Sequence, residues 1–443
     1  MQDIVKELEW RGAIHQKTDE NIGAWLNEKR RTVYIGFDPT ADSLHVGHLV
    51  QLMTLRRFQK AGHRPIALVG GATGMIGDPS GKSEERNLLT VDDIRCNVES
   101  IRTQMTRFLD FEDSGTTAVS CDVPDVTALP ASTTGAVLIN NYDWLGKFGY
   151  LDFLRDVGKH FSVNVMVAKD SVKSRLTQSD AGMSYTEFSY QLLQSYDFYW
   201  LNKICGCEIQ AGGSDQWGNI TAGIDFVRRM GGPQLYGITS PLLTRSDGKK
   251  MGKTESGSLW LDANRTRPYV FYQYWVNLDD ADVETALRFF TEMTQEETRA
   301  VIDGHLASPE KRTAQKRLAD DLTRLIHGNE GLQTAHRATD IFFGGEIANL
   351  TDSQLVAIFA DVKSKQLPRA VLDAGLSIID AFVESGLAQT KGEARRTLQG
   401  GGAYVNNRTV TDMDAKLTPE HLASETVMIL RSGKKNYALL RFV

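Results

Sequence analysis

The fold is decided by the stretch Thr32-Val-Tyr-Ile-Gly-Phe37, Asp38-Pro-Thr-Ala-Asp-Ser-Leu44 and His45-Val-Gly-His48. The first segment has the composition of a strand, the second is a polar loop, and apolar residues then recur from Val46 to Phe58 with helical spacing. This order places a helix N-terminus after a strand, where free backbone N–H groups and the helix dipole attract an anion. Gly47 leaves room for a base or a ribose against the backbone. We therefore expect a phosphate site flanked by the two histidines.

Further strand-like runs alternate with helical patterns between Thr32 and about Thr244. They are Pro65-Ile-Ala-Leu-Val69, Ala136-Val-Leu-Ile139 and Glu208-Ile-Gln-Ala211. This alternation predicts an α/β unit, a Rossmann-like domain with a mostly parallel sheet. Ligands of such sheets bind at the carboxyl ends of the strands, so we place the phosphate site at that edge.

A second basic motif, Lys250-Met-Gly-Lys253-Thr254, follows a Ser-Asp-Gly-Lys turn. Each motif has a simpler interpretation. The lysines would form a solvated basic loop, and the His-x-x-His pair would lie on the surface or be half of a metal site. The two together, a strand-loop-helix phosphate site followed by a lysine loop, favour nucleotidyl transfer.

Four longer sequence segments make the resemblance more specific. They are Tyr34-Ile-Gly-Phe-Asp-Pro-Thr40, Gly70-Gly-Ala-Thr-Gly-Met-Ile-Gly-Asp78-Pro-Ser-Gly-Lys82, Tyr190-Gln-Leu-Leu-Gln194-Ser-Tyr-Asp197-Phe198 and Gly212-Gly-Ser-Asp215-Gln216-Trp-Gly-Asn219. With the two short motifs they resemble the class I aminoacyl-tRNA synthetases, and among these the bacterial-type tyrosyl-tRNA synthetases, over nearly the whole chain. The resemblance implies a tyrosine-tRNA ligase activity: L-tyrosine and ATP give tyrosyl-adenylate and pyrophosphate, and tyrosine then passes to the 3′ end of tRNA(Tyr).

Activation of an amino acid needs positive charge more than a general base, because the attacking carboxylate is already ionised and charge grows on the phosphates. The resemblance implies which residues supply the contacts. Thr40 and His45 would bind the terminal phosphate, with His45 and His48 on either side of the phosphates. Lys82, Arg86, Lys250 and Lys253 would clamp the leaving pyrophosphate. Mg²⁺ would arrive with ATP, without a protein-bound metal.

Selectivity for tyrosine needs polar groups at the bottom of an apolar pocket, because these groups are left unpaired when phenylalanine enters. The resemblance assigns this role to Tyr34 and Asp197, and it assigns the substrate ammonium to Asp78, Tyr190 and Gln194. Tyr190, Gln194 and Asp197 are spaced i, i+4 and i+7, so we expect them on one helix face. Without the surrounding string, a surface aromatic and a carboxylate on a helix flank would be the preferred interpretation of Tyr190 and Asp197.

The resemblance also assigns the ATP and ribose contacts. The residues are Gly36, Asp38, Gly47, Gly213, Asp215, Gln216 and Lys253. A carboxylate after a strand end commonly accepts from ribose hydroxyls, and a tight turn is the alternative role for Gly213. Ile35 has no polar side-chain group for a ribose, and Gln51 contacts ribose or only solvent. In the lysine loop, Gly252 and Thr254 replace the commoner serines, but both lysines remain.

A chain of 443 residues is long for a single core and predicts two to three domains. We predict a catalytic domain at 1–245 with an insertion at 141–176, a lysine-loop linker at 246–267, a helical anticodon-binding domain at 268–350, a linker at 351–366 and a C-terminal α+β RNA-binding domain at 367–443. The aromatic-rich insertion is either plain core or, as the resemblance implies, the interface of a homodimer. Residues 427–431 and 437–441 predict a hairpin.

The tail from Lys365 onward carries 11 Lys+Arg against 8 Asp+Glu, whereas the whole chain has a net charge of −6. A local basic excess suits a module that binds an anionic polymer. Lys391 and Arg395 are spaced i and i+4, with Arg396 beside them. We expect them to share a helix face, which would either contact tRNA phosphates or only keep the surface soluble.

The composition, 41% hydrophobic and 24% charged, is that of an ordinary soluble globular protein. We expect no membrane segment and no targeting peptide, and hence a cytoplasmic location. Cys205-Gly-Cys207 has no partner pair at zinc spacing, so we expect reduced, structural cysteines. Two rivals remain. A tryptophan-type sister synthetase shares the fold, but an indole has no hydroxyl for Tyr34 and Asp197. A catalytically retired RNA-binding or splicing protein would be free to lose the mutually repelling cations.

Overall fold

The computed structural model describes residues 3–80, 89–111, 134–169, 172, 173, 176, 182–254, 257–347 and 350–443. The chain forms two compact units. The first consists of Met1–Arg267 with Tyr274–Ile326, and the second of Pro268–Gln273 with His327–Val443. Two predicted site residues, Lys82 and Arg86, lie outside the described residues.

The helices and strands of the described residues are numbered in chain order. The helices are α1 (Ile4–Trp10), α2 (Ile22–Glu28), α3 (Val46–Lys60), α4 (Thr73–Ile76), α5 (Val91–Met105), α6 (Tyr142–Leu145), α7 (Tyr150–Asp156), α8 (Val163–Val167), α9 (Tyr185–Cys205), α10 (Trp217–Arg229), α11 (Pro268–Val276), α12 (Asp280–Phe290), α13 (Gln295–Leu306), α14 (Thr313–Phe342), α15 (Asp352–Ile358), α16 (Arg369–Asp373), α17 (Ile378–Glu384) and α18 (Lys391–Gln399). The strands are β1 (Gln16–Lys17), β2 (Thr32–Phe37), β3 (Arg64–Val69), β4 (Val137–Asn140), β5 (Ile209–Gly213), β6 (Tyr236–Ser240), β7 (Lys253–Thr254), β8 (Gly257–Ser258), β9 (Lys363–Leu367), β10 (Leu376–Ser377), β11 (Ala403–Val405), β12 (Arg408–Thr409), β13 (Lys416–Leu417), β14 (Val427–Ser432) and β15 (Asn436–Phe442).

The first unit is built on a six-stranded sheet in the order β1-β6-β5-β2-β3-β4. β2 pairs in parallel with β3 and β5, β3 pairs in parallel with β4, and β5 pairs in parallel with β6. Only the edge strand β1 is antiparallel to its neighbour. The predicted mostly parallel α/β sheet is therefore confirmed. Because β2 is central, the loop that follows it opens at the carboxyl edge of the sheet, where such folds bind ligands.

The central strands are mostly apolar, as is typical of parallel strands covered on both faces. Every residue of β3 and β5 is buried. α3 begins after its cap at His45 and buries Leu49, Leu52 and Leu55. Full burial of each leucine stabilises the fold by about 1.5–3 kcal/mol, so the helix that carries the first motif is held firmly.

The helices after the lysine loop are divided between the two units. α12 and α13 belong to the first unit, and the boundary at residues 326 and 327 falls within α14. α14 is interrupted nearby at Gly328, whose φ of 71° is non-helical and suits glycine best. Residues 268–350, predicted as one helical domain, thus belong partly to each compact unit.

The second unit contains a five-stranded sheet in the order β12-β11-β14-β15-β9. β14 and β15 form the predicted antiparallel hairpin, and β9 pairs in parallel with β15. Alternate residues of β14 belong to two apolar clusters: Met428 and Leu430 pack with Phe382 and Leu398, whereas Ile429 packs with helices α14 and α15. The strand period of two therefore places apolar layers on both faces of the sheet.

Residues 351–366, predicted as a linker, contain α15 and most of β9. Thr351 and Gln354 form a capping box at the start of α15, and Leu355 and Phe359 are fully buried. The strand was missed because β9 is an edge strand: four of its five residues, Lys363 to Gln366, are polar and exposed, and only Leu367 is buried.

No helix of the described ranges has the length and apolar character needed to cross a membrane. Within the same ranges, no group of three His, Cys, Asp or Glu side chains is placed to hold a metal ion.

Candidate active site

A cavity of about 420 Å³ opens at the carboxyl edge of the first sheet. Most of the predicted site residues line it. They are Tyr34, Gly36, Asp38, Thr40, His45, Gly47, His48, Asp78, Tyr190, Gln194, Asp197, Gly213, Asp215 and Gln216. Lys250 and Lys253 do not line the cavity. Tyr190, Gln194 and Asp197 reach it from α9, so the prediction that they share one helix face is confirmed.

At one end of the cavity, Tyr34 and Asp197 are almost fully buried, with 1% and 2% of their surfaces exposed. The Asp197 carboxylate accepts hydrogen bonds from Asn141 Nδ2 at 2.9 Å and from Trp144 Nε1 at 2.8 Å. Burial nevertheless raises the pKa of Asp197 to about 8. The Tyr34 hydroxyl is buried without a hydrogen-bond partner among the described residues. Such a group is unfavourable unless a ligand pairs with it.

Asn141 and Trp144 are partners of Asp197 that sequence reasoning missed. Asn141 follows β4 directly, and its Oδ1 accepts from the Ala72 N–H at 2.8 Å, while its Nδ2 also donates to Thr73 Oγ1 at 3.0 Å. Its position directly after a predicted strand was the sequence feature that could have marked it as a site residue. Nothing in the local pattern connects it to a carboxylate 56 residues away.

Two of the three predicted ammonium residues, Asp78 and Gln194, are connected by hydrogen bonds through Gln216. Gln216 Nε2 donates to Asp78 Oδ2 at 2.6 Å, and Gln216 Oε1 accepts from Gln194 Nε2 at 3.3 Å. Asn219 Nδ2 donates to Gln194 Oε1 at 3.1 Å, so this residue joins the network without having been predicted. Burial raises the pKa of Asp78. A cationic ligand near Asp78 would favour its ionised form.

Asp38 was predicted to contact the nucleotide, but one of its hydrogen bonds joins it to Tyr190, one of the residues predicted to bind the substrate ammonium. Its Oδ2 accepts from the Tyr190 hydroxyl at 3.0 Å, and its Oδ1 accepts from Thr73 Oγ1 at 2.9 Å. A β-carbon on Gly70 would overlap Asp38 Oδ1 and Thr73 Oγ1. Glycine at position 70 therefore permits the close approach of the backbone to this pair.

At the other end of the cavity, the two histidines shape the N-terminus of α3. His45 Nδ1 accepts from the Gly47 N–H at 3.0 Å, and His48 Nδ1 accepts from the His45 N–H at 3.1 Å. Their rings stack with centroids 4.0 Å apart. Because each Nδ1 accepts, each neutral ring carries its proton on Nε2, the form that donates to an anion. A helix N-terminus with these donors suits phosphate.

The lysine loop, residues 244–254, lies beside this helix start. The Val46 N–H donates to Leu259 O at 3.0 Å and the Leu261 N–H donates to Leu44 O at 2.8 Å, so the segment after the loop pairs with the first motif. Lys253 Nζ donates to Ser258 Oγ at 2.9 Å. The two motifs are therefore neighbours, although the lysine side chains do not reach the cavity.

The predicted ribose region lies after β5. Gly213 and Asp215 line the cavity, and a β-carbon on Gly213 would be 2.5 Å from Asp215 Oδ1. Gln51 also lines the cavity, and its Nε2 donates to Ser240 Oγ at 3.3 Å. Gln51 therefore faces the site and not only the solvent. Ile35 is buried and lines the same wall.

The chain matches known families along most of its length. Residues 26–344 match the tRNA synthetases class I (W and Y), and residues 357–440 match the tyrosine–tRNA ligase SYY-like C-terminal domain. The tyrosine–tRNA ligase of Rhodopirellula baltica is 56% identical over 99% of this chain and 96% of its own length. That of Geobacillus stearothermophilus is 48% identical over 99% of this chain and 100% of its own length.

The chain belongs to the tyrosine–tRNA ligase family. Membership of this family makes it an aminoacyl-tRNA synthetase and confirms the predicted resemblance. It also sets aside the catalytically retired protein as a rival.

Solved structures of both tyrosyl- and tryptophanyl-tRNA synthetases resemble this chain. A C-terminally truncated mitochondrial tyrosyl-tRNA synthetase of Aspergillus nidulans has a TM-score of 0.65 at 30% identity, covering 76% of this chain and 94% of its own. The tryptophanyl-tRNA synthetase of Plasmodium falciparum has a TM-score of 0.50 at 13% identity, covering 81% and 91%. The latter likeness shows the shared fold alone, so the tyrosine–tRNA ligase relatives decide against the tryptophan-type rival.

Proposed function

We propose that this tyrosine–tRNA ligase activates L-tyrosine in the 420 Å³ cavity, with the side chain at Tyr34 and Asp197 and the triphosphate of ATP at His45 and His48. The observation that carries this orientation is the hydroxyl of Tyr34, which is buried near the Asp197 carboxyl group and has no hydrogen-bond partner in the described part of the chain. A phenol pairs with both groups, whereas phenylalanine leaves them unpaired. The substrate ammonium then meets Asp78, Tyr190 and Gln194, which lie between the two ends.

The reaction needs in-line placement of the tyrosine carboxylate and the α-phosphorus, with charge stabilisation on the departing pyrophosphate. Nε2–H groups of His45 and His48, the Thr40 hydroxyl and the backbone of Gly47 would supply donors at the helix start. Lys250 and Lys253 would complete the clamp when their side chains turn toward the cavity, and the family resemblance implies the same task for Lys82 and Arg86. Mg²⁺ would enter bound to ATP, because oxygen-rich phosphates suit this ion.

We propose that the product is transferred to the 3′ end of tRNA(Tyr), and that the C-terminal module 367–443 and the helical region 268–350 contact the tRNA. In the module, Arg395 and Arg396 are exposed on α18, whereas Lys391 pairs with Asp380 at 2.7 Å. Arg395 and Arg396 are therefore better placed than Lys391 to meet phosphates.

The homodimer is proposed to form through the insertion 141–176. Its aromatic residues differ in exposure: Trp144 is buried in the core, while Tyr150 is 65% exposed. Leu151, Val163 and Val165 are exposed near it in sequence, at 78%, 61% and 54%. Exposed apolar side chains in this number suit contact with a second copy. Light scattering tests this proposal, and a monomeric mass at micromolar concentration would refute it. The cytoplasmic location also stays a prediction.

The test of the proposed function is ATP–pyrophosphate exchange with tyrosine, phenylalanine and tryptophan in parallel, on the wild type and on Asp197→Ala. We expect exchange with tyrosine alone in the wild type. In the variant, selectivity for tyrosine over phenylalanine should fall more than ATP binding does. Equal loss of both would refute the placement of the phenol at Asp197.

A further inference from the structure

The lysine loop, residues 244–254, is held by side chains of two helices that follow it in the chain. The hydroxyl of Tyr274, on α11, accepts a hydrogen bond from the Gly252 N–H at 2.7 Å. Gly252 lies between Lys250 and Lys253, so this bond fixes the backbone that carries both predicted phosphate ligands. Tyr274, α12 and the loop all belong to the first compact unit.

Gly252 is restrained on three sides. Besides the Tyr274 hydroxyl on its N–H, its carbonyl accepts from the Leu259 N–H at 2.8 Å. A β-carbon at this position would overlap the side chain of Val46, the first residue of α3, and the φ of Gly252 is +81°. A serine here would be strained in its backbone and would lack space. The glycine thus lets the loop lie directly on the helix that begins the phosphate site.

A second anchor holds the beginning of the loop. Asp282, on α12, is buried and accepts from the Ser246 N–H at 2.8 Å and from the Ser246 hydroxyl at 3.1 Å. Arg245 adds an ion pair with Asp247 at 2.9 Å and a longer one with Asp279 at 3.7 Å. Two carboxylate bonds to one serine define the position of the loop's first turn better than an exposed ion pair does.

We infer that Tyr274 and Asp282 are positioning residues for the reaction: they fix the lysine loop against the start of α3 and so hold the backbone of Lys250 and Lys253 beside the proposed phosphate site. The inference rests on the proposed role of these lysines. Neither positioning residue lines the cavity, so each acts on ATP only through the loop. Misplacing a charged ligand by a small distance lowers its contribution to catalysis strongly.

Tyr274→Phe tests the inference because it removes one oxygen atom and keeps the ring. We expect kcat/KM for ATP in pyrophosphate exchange to fall about tenfold, as for the loss of one well-aligned hydrogen bond. The dissociation constant for tyrosine should stay within about twofold, because the tyrosine end of the cavity has no contact with Tyr274. Asp282→Asn should act in the same direction. Tyr269→Phe, a hydroxyl removed from the same helix, is the matched control and should change neither constant.

The decisive measurement repeats Tyr274→Phe in a background that carries both Lys250→Ala and Lys253→Ala. A residue that acts through the two lysines loses its effect when both are absent, so Tyr274→Phe should then change kcat/KM for ATP by less than about twofold. The inference is overturned if the effects multiply, or if tyrosine binding falls in parallel with ATP. If the double lysine variant alone leaves kcat/KM unchanged, the proposed role of the lysines fails and the inference with it. If the double lysine variant is impaired and Tyr274→Phe is not, the inference alone fails.

Discussion

The two ends of the cavity are built differently. At the tyrosine end, Tyr34 and Asp197 are buried, and fixed donors from Asn141 and Trp144 hold the carboxylate. At the phosphate end, Thr40 and Gly47 are exposed, and the lysines that would complete the site lie on an exposed loop. The first end is arranged before any substrate arrives, whereas the second depends on groups that still have to approach.

This difference follows from the tasks that we propose. Discrimination between a phenol and a phenyl ring depends on leaving rigid polar groups unpaired, so movement there would weaken it. Binding and releasing a highly charged pyrophosphate requires access for a large anion and a ligand set that can open. We therefore expect substitutions at the two ends to change different kinetic constants.

The largest expected effect is that of His45→Ala at the phosphate end. Removing one donor to the developing charge should lower kcat of pyrophosphate exchange about 100- to 1000-fold, while the dissociation constant for tyrosine stays the same. His45 also caps α3, and loss of a cap costs about 1 kcal/mol. His45→Asn keeps a capping acceptor, so it should recover the free energy of unfolding but not the rate. Weaker tyrosine binding in both variants would show that the two ends are not separate.

The next effect concerns packing beside the ammonium residues, between the two ends. Gly70→Ala would place a methyl group against Asp38 and Thr73, and overpacking of this kind lowers the free energy of unfolding by about 1–3 kcal/mol. Gly36→Ala is the control, because a β-carbon there has no neighbouring atom within 4 Å. Urea denaturation, with and without tyrosine, measures the free energy of unfolding of both variants. Similar losses at the two glycines would contradict the close packing inferred around Gly70.

Tyr34→Phe should have a smaller effect. Unlike Gly70→Ala, it should not lower the free energy of unfolding. Because the hydroxyl has no partner among the described residues, its removal should leave the unliganded protein as stable as before or more stable. Selectivity for tyrosine over phenylalanine should fall about tenfold, as for the loss of one hydrogen bond. A clear loss of stability in the unliganded variant would show that the hydroxyl is already bonded and not waiting for the ligand.

The smallest effect is a pH dependence at the same end. Burial raises the pKa of Asp197 from 3.8 to about 8, so the folded protein keeps a proton that the unfolded chain loses near pH 4. The free energy of unfolding should therefore fall between about pH 4 and pH 8, relative to Asp197→Asn. The ionised carboxylate accepts the phenol more strongly, so selectivity for tyrosine over phenylalanine should rise several-fold as the pH passes about 8. A selectivity that is flat with pH would contradict this role.

The sequence predicted the parts of the site that depend on local spacing. Tyr190, Gln194 and Asp197 share a helix face because the period of a helix is fixed, and β2 with the start of α3 lies where the motif places it. The partners of Asp197 could not be found in this way, since Asn141 and Trp144 meet it only through the order of strands in the sheet. The contacts of Asp38 with Tyr190 and of Tyr274 with Gly252 likewise join distant segments. Such contacts require the assembled fold.

The sharpest test of the proposed substrate orientation is a crystal structure with a non-hydrolysable tyrosyl-adenylate analogue whose phosphate is replaced by a sulfamate. We predict that the phenol oxygen lies within hydrogen-bond distance of Tyr34 Oη and Asp197, and that the sulfamate lies beside the start of α3 at His45 and Gly47. An analogue bound in the reverse direction, or outside this cavity, would refute the proposed orientation.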